Sequence, residues 1–345
     1  MKILLISNMY PSEEKPYAGI FIKNQYERLK TIMLNDEIHL FYMKRKYTNT
    51  LSSILKYANT FIKFIPNLFK KYDIIHVHFF YPLIILAILY KKLHRKTKIV
   101  VTFHGTDITQ HVQSRINKKI YSVFAAQVDI IIAVGRDLAE EIENKLRVKV
   151  NVILSAGIDE NTFYKEEQTN KEFDYLFVGS FISRKGTDIL IESIKQITNT
   201  NIKYCFVGSG EFIGELQKLN KEQVKIYQNL NQQQLRTIYN KSRFFVLPSR
   251  NEPFGLVVTE SMFCGTPAIV APNGGLTEQV IDNKNGYIMK ENTPEVLSEI
   301  INKTIAMNED EYKNISENAY RSNKTHSLNN ICMELKEIYK NIYVK

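Results

Sequence analysis

The sequence predicts an α/β protein of two doubly wound domains, each built on a parallel sheet with helices on both faces. Its 345 residues exceed what one hydrophobic core usually holds, so two domains are expected. Near-continuous apolar runs alternate with helical patterns along the chain, which is typical of parallel strands buried on both faces. The alternation restarts after residues 159–174, a polar stretch without periodicity that we expect to link the domains.

Each series of apolar runs contains six predicted strands. The first series consists of residues 2–7, 37–43, 73–79, 98–104, 129–134 and 150–155. The second consists of residues 175–180, 203–210, 224–229, 243–249, 267–272 and 286–289. Open α/β sheets bind ligands outside the carboxyl ends of their strands, so the residues that follow these runs are the first candidates for a functional site. Two such domains facing each other would place those residues in an interdomain cleft.

The chain has a net charge of +10, and its basic clusters fall in the N-terminal part. These clusters are Lys44-Arg45-Lys46, Lys70-Lys71, Lys91-Lys92 with Arg95, Lys96 and Lys98, and Lys118-Lys119. Among them, residues 51–71 place apolar side chains at helical spacing, which suits a basic amphipathic helix at an anionic membrane. The same stripe has the width of a helix packed on a sheet, so both interpretations stay open. Nucleic acid is not expected as a partner, because no nucleic-acid-binding motif accompanies the charge.

The rest of the composition predicts a cytoplasmic protein without a membrane span. The longest apolar stretch, residues 79–90, is interrupted by Pro82 and is shorter than the ~20 residues that cross a bilayer. The apolar run at the N-terminus is too short for a secretory signal. The three cysteines are too few to pair completely in disulfides, and their spacing is not that of metal ligands, which suits a reducing compartment.

Histidines occur at the ends of two predicted strands in the N-terminal half. His104 ends the run VTFH beside Gly105 and Asp107, where a side chain can point into a cleft. His76 and His78 are two residues apart, so both rings lie on one face of their strand. Without a third ligand nearby, we expect these two to pack in the core or support the cleft wall rather than bind a metal.

Two glycine turns in the C-terminal half are candidates for anion and nucleotide binding. Arg184 and Lys185 precede a helix, where cationic side chains and free backbone N–H groups converge; a solvated basic turn is the alternative. Residues 206–216 carry glycines at G-x-G-x-x-x-G, one residue off the dinucleotide fingerprint, and the expected acid is missing. This argues against NAD, but the turn at Gly208 remains a place where a nucleotide could approach the backbone.

The stretch NEPFGLVVTE, residues 251–260, places two carboxylates around a helix N-terminus. The amides of Phe254, Gly255 and Leu256 would face outward at the start of the helix, which suits a diphosphate. Glu260, within the helix, is placed to accept hydrogen bonds from the hydroxyls of a ribose. Glu252 would face the group that is attached to the diphosphate. A glycosidase would need two carboxyl groups on either side of the glycosidic bond that it cleaves. A helix N-terminus between the two carboxyl groups has no role in that reaction. Binding of a nucleotide-linked ligand is therefore the favoured interpretation.

Motifs along nearly the whole chain resemble the retaining glycosyltransferases of family 4. The most specific are E-P-F-G-L-V-x-x-E, S-M-F-C-G-T-P and P-N-G-G-x-x-E, accompanied by DIIHVHF, FHGTD and the C-terminal THSLNNICMELKEIYKNIY. The resemblance implies a GT-B fold, in which two Rossmann-like domains face an interdomain cleft and the last helix crosses back. It implies an acceptor-binding domain over residues 1–165, completed by 328–345, and a donor-binding domain over 172–327.

The resemblance also implies the reaction and the role of each site residue. A sugar would move from a nucleotide diphosphate sugar with retained configuration and no metal or other cofactor, and the absence of a D-x-D triplet agrees with this. Glu252 would hold the donor sugar hydroxyls, Lys185 the diphosphate, Glu260 the ribose, and His104 the sugar near its reacting carbon. The remaining donor contacts would come from Gly19, Phe254, Gly255 and Leu256.

Three departures from the family pattern concern the donor. Ser180 stands where the family usually has Arg, and Arg184, next to Lys185, is the candidate to supply that charge. Asn229 stands where a Gly often precedes the base-binding loop. Ser155-Ala156 replaces the common Pro-Asn, so the donor cannot be identified from these positions.

We expect transfer of a hexose or N-acetylhexosamine from a UDP-sugar, with GDP-mannose as second choice, to a lipid-linked glycan in bacterial surface polysaccharide or glycoconjugate synthesis. The enzyme would work in the cytoplasm, on the inner face of the membrane. Two alternatives stay open: a non-catalytic GT-B partner subunit, and a nucleotide-sugar epimerase or hydrolase on the same fold.

Overall fold

The computed structural model describes residues 1–12, 17–43, 50–109, 111–167 and 169–344, with side chains of 50–55 excepted. The chain divides into two compact units. Unit 1 comprises Met1–Gly157 and Leu328–Lys345, and unit 2 comprises Ile158–Ser327. Among the described residues, no helix has the length and apolar character needed to cross a bilayer.

Unit 1 contains a parallel sheet that has six strands within the described chain, in the order β2-β1-β3-β4-β5-β6. Its strands are β1 (Lys2–Ser7), β2 (Glu37–Tyr42), β3 (Ile74–His78), β4 (Lys98–Phe103), β5 (Ile130–Ala133) and β6 (Val152–Ile153). Its N-terminal helices are α1 (Ile20–Ile32), α2 (Thr50–Leu68), α3 (Ile84–Leu93), α4 (Thr106–Thr109), α5 (Arg115–Ala125) and α6 (Arg136–Leu146).

Unit 2 repeats this architecture with a parallel sheet in the order β12-β11-β10-β7-β8-β9. Its strands are β7 (Phe173–Val178), β8 (Tyr204–Val207), β9 (Val224–Tyr227), β10 (Ser242–Leu247), β11 (Ala268–Val270) and β12 (Gly286–Ile288). Its helices are α7 (Thr187–Gln196), α8 (Ile213–Leu216), α9 (Gln232–Asn240), α10 (Leu256–Phe263), α11 (Gly274–Thr277), α12 (Pro294–Ile305) and α13 (Glu309–Ser322). The predicted α/β class with two doubly wound sheets is confirmed.

The last helix, α14 (Leu328–Val344), belongs to unit 1. It packs beside α1 on one face of the unit 1 sheet, where Leu335 and Tyr339 are buried against β-strand residues such as Ile74. Burial of the apolar stripe of α14 therefore completes the N-terminal sheet layer. The crossing-back helix that the resemblance implied is present.

The segment between the two sheets differs from the structureless linker that its composition predicts. Ile158 and Phe163 are buried in the unit 2 core, and the Phe163 ring packs edge-on to Tyr239. Ile158 and Phe163 therefore fix residues 158–165 on unit 2, whereas the family resemblance implied that the N-terminal domain extends to residue 165. The predicted basic cluster at 44–46 lies outside the described residues.

Candidate functional site

In unit 2, the loops after β7 and β10 bring two predicted donor-binding residues together. β7 and β10 are adjacent parallel strands, so their carboxyl ends lie side by side. Lys185, after β7, forms an ion pair with Glu252, after β10. The two side chains are 17% and 11% exposed, so the pair is largely shielded from water yet still reaches the surface. A shielded pair of opposite charges at a strand edge can open to accept an anion and a hydroxyl.

The other cations of this edge have different surroundings. Arg184 is exposed and donates weakly to the Asn251 carbonyl at 3.4 Å. Arg250 makes a bidentate pair with Asp188 at 2.8 and 2.7 Å, so its charge is already compensated. Ser180, which occupies the family's Arg position, is exposed just beyond β7. Lys185 and Arg184 are therefore the cations that this edge offers to a diphosphate.

Two glycines allow the loops at this edge to touch. Gly186 has φ +74°, and a Cβ there would lie 1.8 Å from the Pro248 carbonyl oxygen. Gly208 has φ +150°, and its Cβ would lie 1.9 Å from the Gly179 oxygen. Only glycine fits such positive-φ, backbone-to-backbone contacts. The Gly208 turn thus packs the loop after β8 against the loop after β7.

The turn at residues 251–255 leads directly into α10. Gly255, with φ +86°, is the N-cap of α10, and Phe254 is buried against the ring of His326. No backbone carbonyl of the described residues accepts a hydrogen bond from the amides of Phe254, Gly255 or Leu256. The N-terminus of α10 therefore offers unpaired amides and the positive end of the helix dipole, the features on which the predicted anion site depends.

The turn at residues 273–275 and the side chain of Gln279 pack against the turn at residues 251–255, through contacts that the sequence did not predict. Gly275 donates its backbone N–H to the Glu252 carbonyl at 3.0 Å, and a Cβ on Gly275 would lie 2.3 Å from the Phe254 Cα. The buried amide of Gln279 donates to the Phe254 carbonyl and, at 3.1 Å, to the Gly275 carbonyl. Its oxygen accepts from the Thr259 hydroxyl at 2.6 Å. Gln279 lies next to the P-N-G-G-x-x-E motif, but residue type alone does not show that its side chain joins both turns.

Glu260 lies on α10 and accepts a hydrogen bond from the Tyr239 hydroxyl at 3.0 Å. Burial raises the pKa of Glu260 to about 7, and the Tyr239 hydrogen bond offsets only part of this. The sequence assigns Glu260 to the ribose without showing that Tyr239 binds the same carboxylate. The hydroxyl fixes one carboxylate oxygen and leaves acceptor capacity for a ligand.

The raised pKa predicts a pH-dependent gain in stability for Glu260→Gln. The pKa is about 7 in the folded protein and ordinarily 4.5, so the folded state holds an extra proton between these pH values. Glu260 therefore costs stability progressively as pH rises from about 4.5 to 7. Glutamine keeps the acceptor for Tyr239 without the charge, so the variant should be more stable by about 1–2 kcal/mol at pH 8 and unchanged near pH 4.5. Melting temperatures of both proteins at the two pH values test this, and an equal difference at both would contradict it.

Asn229 explains one departure from the family pattern. It follows β9 with φ +55°, a left-handed conformation that glycine adopts freely and that asparagine tolerates best among other residues. Asparagine thus preserves the backbone that a glycine would provide. Its side chain is exposed, next to the capping box that begins α9 at Asn231.

In unit 1, His104 lies at the carboxyl end of β4 in a loop that Asp107 holds in place. The Asp107 carboxylate accepts backbone N–H groups of His104 at 3.2 Å, Gly105 at 2.9 Å and Phe80 at 3.3 Å. Burial raises the pKa of Asp107 to about 6, against the opposing effect of these donors. Asp107 therefore ties the loops after β3 and β4 together. The sequence places it beside His104, but only the fold shows its three donors.

Three histidines stack in a row beneath this loop. His76 lies 2.6 Å from the Tyr339 hydroxyl and 2.8 Å from the Thr102 hydroxyl, and its ring stacks on His78 at 4.3 Å. His78 Nδ1 lies 3.3 Å from His104 Nε2. Burial lowers the pKa of His78 to about 3 and that of His104 well below its ordinary value. All three rings are neutral at pH 7, and the expected support role of the pair fits these contacts.

Ring contacts of Phe21 and Phe79 with His104 place the loop that contains Gly19 near His104. The Phe21 ring lies 5.0 Å from the His104 ring, and the Phe79 ring lies 4.5 Å from it. Phe79 has φ +63°, a strained conformation for a bulky residue that the surrounding packing maintains. Gly19, two residues before Phe21, caps α1 with φ +73°, and its Cβ would lie 2.8 Å from the Met9 carbonyl carbon. No group of His, Cys, Asp and Glu in the described chain has the arrangement of a metal site.

Two family models match the chain, one on each half. The model described as Glycosyltransferase Family 4 matches residues 30–161, and the model described as Glycosyl transferases group 1 matches residues 159–322. The chain belongs to this glycosyltransferase family. The predicted glycosyltransferase family is confirmed, and the protein is a glycosyltransferase of the GT-B type.

Similar proteins and structures agree with this assignment. An uncharacterized glycosyltransferase of Methanocaldococcus jannaschii is 28% identical over 99% of this chain and 99% of its own length. N-acetyl-alpha-D-glucosaminyl L-malate synthase of Bacillus anthracis is 28% identical over 63% of this chain and 61% of its own length. Sucrose-phosphate synthase of Thermosynechococcus elongatus matches with a TM-score of 0.78 at 17% identity, covering 100% of this chain and 99% of that one. Anabaena HepE, solved with UDP and glucose, matches with a TM-score of 0.77 at 18% identity, covering 99% and 100%.

Proposed function

We propose that this glycosyltransferase moves a hexose or N-acetylhexosamine from a UDP-sugar to a lipid-linked glycan, with retained configuration and without a metal. GDP-mannose is the second choice of donor, and bacterial surface polysaccharide or glycoconjugate synthesis is the setting. The observation that carries the proposal is the Lys185–Glu252 pair beside the open N-terminus of α10. This arrangement offers a cation, a carboxylate and backbone donors within one sheet edge.

Binding of the diphosphate would replace the ion pair between Lys185 and Glu252 with an ion pair between Lys185 and the diphosphate. In the structure the two charges compensate each other. A diphosphate at the α10 N-terminus would accept hydrogen bonds from the amides of Phe254, Gly255 and Leu256, and its charge would attract Lys185 and Arg184. Glu252, released from Lys185, could then accept hydrogen bonds from the hydroxyls of the donor sugar. Donor binding would thus exchange one internal ion pair for contacts on both ends of the ligand.

The other roles follow from the surroundings of each residue. Glu260 would accept the ribose hydroxyls through the carboxylate oxygen that Tyr239 leaves available. The loops at Gly208 and Asn229, beyond β8 and β9, would lie along the nucleoside. His104, with Gly19 nearby, would contact the donor sugar as a neutral hydrogen-bonding ring, because its pKa is well below 7.

Transfer would depend on stabilising the leaving diphosphate. The charge that develops there as the glycosidic bond to the diphosphate breaks would be stabilised by Lys185 and the α10 amides, which are already in place before reaction. We propose that the leaving diphosphate itself takes the acceptor proton on the same face of the sugar, which retains the anomeric configuration. UDP as the carrier is supported by the Anabaena HepE complexes with UDP, and an N-acetylhexosamine by the Bacillus anthracis relative.

Calorimetric titration of the protein with UDP, GDP and ADP, with EDTA throughout, tests the donor site. We expect UDP to bind with micromolar affinity and the other two at least about tenfold more weakly, a difference of about 1.4 kcal/mol. NMR of the product from the matching sugar donor would then show the α configuration of the donor retained. Binding that requires added metal, or an inverted product, would contradict the proposed mechanism. Free sugar formed without an acceptor would instead indicate a hydrolase.

A further inference from the structure

The outer surface of α2, α3 and α5 in unit 1 carries large exposed apolar side chains. We call this surface the apolar-basic face. Its most exposed apolar members are Ile62, Ile65 and Phe69 at α2, Leu89 and Leu93 on α3, and Ile116, Ile120 and Val123 on α5. Their exposure reaches 84% at Phe69 and 72% at Ile116. A soluble surface rarely gathers so many large apolar side chains unless it binds something.

These side chains belong to one continuous surface because the three helices are tied together. α3 contacts both α2 and α5. At the end of α2, the Leu68 carbonyl lies 2.8 Å from His94 Nε2, and the Lys70 carbonyl accepts the Tyr90 hydroxyl at 2.6 Å. At the end of α5, the Gln127 carbonyl lies 3.4 Å from Lys91 Nζ. The C-terminal ends of the three helices therefore lie side by side.

The exposed side chains are separate from those that hold the helices on the sheet. On α2, Thr60 and Phe64 face the interior and are 6% and 1% exposed, whereas Ile62 and Ile65 are 64% and 47% exposed. On α3, Tyr90 is fully buried while its neighbour Leu89 is 45% exposed. Each helix thus has one stripe for the core and a second apolar stripe with no core to bury it. The core-packing alternative left open by the sequence explains only the first stripe.

The segment that contains α2, α3 and α5 has a strong excess of positive charge. Residues 50–128 contain ten Lys and two Arg, against two Asp and no Glu. Of these acids, Asp107 is buried and Asp73 accepts the Lys2 amide at 2.7 Å. Between α3 and the end of α5, a pocket of about 430 Å³ is lined by Lys91, Lys92 and Arg95. Only Lys91 among the three is paired within the described chain, with Asp129.

We propose that the apolar-basic face docks on a bilayer that contains anionic lipids. The exposed Ile, Leu and Phe side chains would enter the boundary between headgroups and acyl chains, and the surrounding Lys and Arg would face lipid phosphates. Lys92 and Arg95, in the pocket between α3 and α5, would hold one phosphate of a headgroup. A second copy of the chain does not fit this surface, because two faces of the same positive charge would repel each other. The inference rests on unit 1 alone and not on the donor chemistry.

Sedimentation with vesicles tests the apolar part of the proposal. We expect the full chain to bind vesicles of phosphatidylglycerol and phosphatidylcholine in equal parts, and not phosphatidylcholine alone. The double variant Phe69→Ser, Leu93→Ser should bind at least about tenfold more weakly, because each lost side chain would be buried on docking. The matched control is Leu34→Ser, which changes an 84% exposed apolar residue between α1 and β2. UDP titration of each variant shows that its fold and donor site are intact, which separates failure here from failure of the proposed function.

The basic part is tested by Lys92→Gln with Arg95→Gln, against Lys218→Gln with Lys221→Gln in unit 2 as the control. The first pair should weaken vesicle binding and reduce its dependence on NaCl, and the control pair should change neither. Three outcomes would overturn the proposal. The serine variant could bind as the wild type does, so that charge alone causes binding. Phosphatidylcholine could bind equally well. Light scattering could show that the wild type self-associates through this face and binds no vesicles.

Discussion

Glu252→Gln should abolish sugar transfer while leaving UDP binding as strong as in the wild type or a few-fold stronger. In the structure, Glu252 holds Lys185 in an ion pair that is mostly shielded from water. Removing the carboxylate charge frees Lys185 for the diphosphate, so nucleotide affinity should not fall. The donor sugar, however, would lose the carboxylate proposed to orient it. Misplacement of a reacting group by about 1 Å costs on the order of 10²-fold in rate, so transfer should fall at least that far.

Lys185→Ala is the complementary change. It removes a charge-assisted hydrogen bond to the diphosphate, which is worth about 1.5–3 kcal/mol, and leaves Glu252 uncompensated beside the anion. UDP binding should therefore weaken by about 10–100-fold, and transfer should fall as well. Calorimetry with UDP and initial rates with the sugar donor separate the two variants. Glu215→Gln and Lys218→Ala, on and just after α8, serve as controls for the changes of charge.

The ion pair makes this a sharp test of donor orientation. If Glu252→Gln lost UDP affinity as strongly as Lys185→Ala does, Glu252 would bind the nucleotide and the assigned orientation would be wrong. If Lys185→Ala kept full UDP affinity, the diphosphate would be held by Arg184 and the α10 amides alone. That result would also explain how the enzyme works with Ser180 in place of the family's Arg.

The fold could be predicted from the sequence because its signal is local. A strand buried on both faces needs a continuous apolar run, and each run from 2–7 to 286–289 contains or overlaps a strand in the structure. The segment 158–165 was not predictable in the same way. Its docking on unit 2 depends on Ile158 and Phe163, two isolated apolar residues in a polar stretch whose partners are distant in sequence.

Individual site residues could be predicted from residue type and position in a turn. Contacts between side chains that are distant in sequence could not. Lys185 and Glu252 could each be recognised from their turns, but 66 residues separate them and no local pattern shows that they pair. Gln279 and Asp107 act through backbone groups of other loops, which have no sequence signature. α2 illustrates the same limit, because apolar residues on its two sides merge into one apparent stripe until the sheet shows which side is buried.

Gly186→Ala should destabilise unit 2 by at least about 3 kcal/mol and abolish UDP binding. A Cβ at this position would lie 1.8 Å from the Pro248 carbonyl oxygen, and that oxygen belongs to the backbone, which cannot rotate away. The φ of +74° adds a left-handed strain of about 1–2 kcal/mol for alanine. Relief requires the turn after β7 to move away from the segment after β10. That movement separates Lys185 from Glu252 and breaks the Arg250 N–H to Arg184 carbonyl hydrogen bond of 2.9 Å.

Gly214→Ala is the matched control for this glycine change. Gly214 lies in α8 of the same unit, has no left-handed φ, and its Cβ would meet no atom within 4 Å. Alanine there should be neutral or stabilising by about 0.4–1 kcal/mol, because it restricts the unfolded chain without straining the folded one. Urea unfolding of both variants, together with UDP titration, measures the contrast. If Gly186→Ala unfolded at the urea concentration of the wild type, the two loops would not be packed as closely as the structure has them. The close approach that brings Lys185 to Glu252 would then need another explanation.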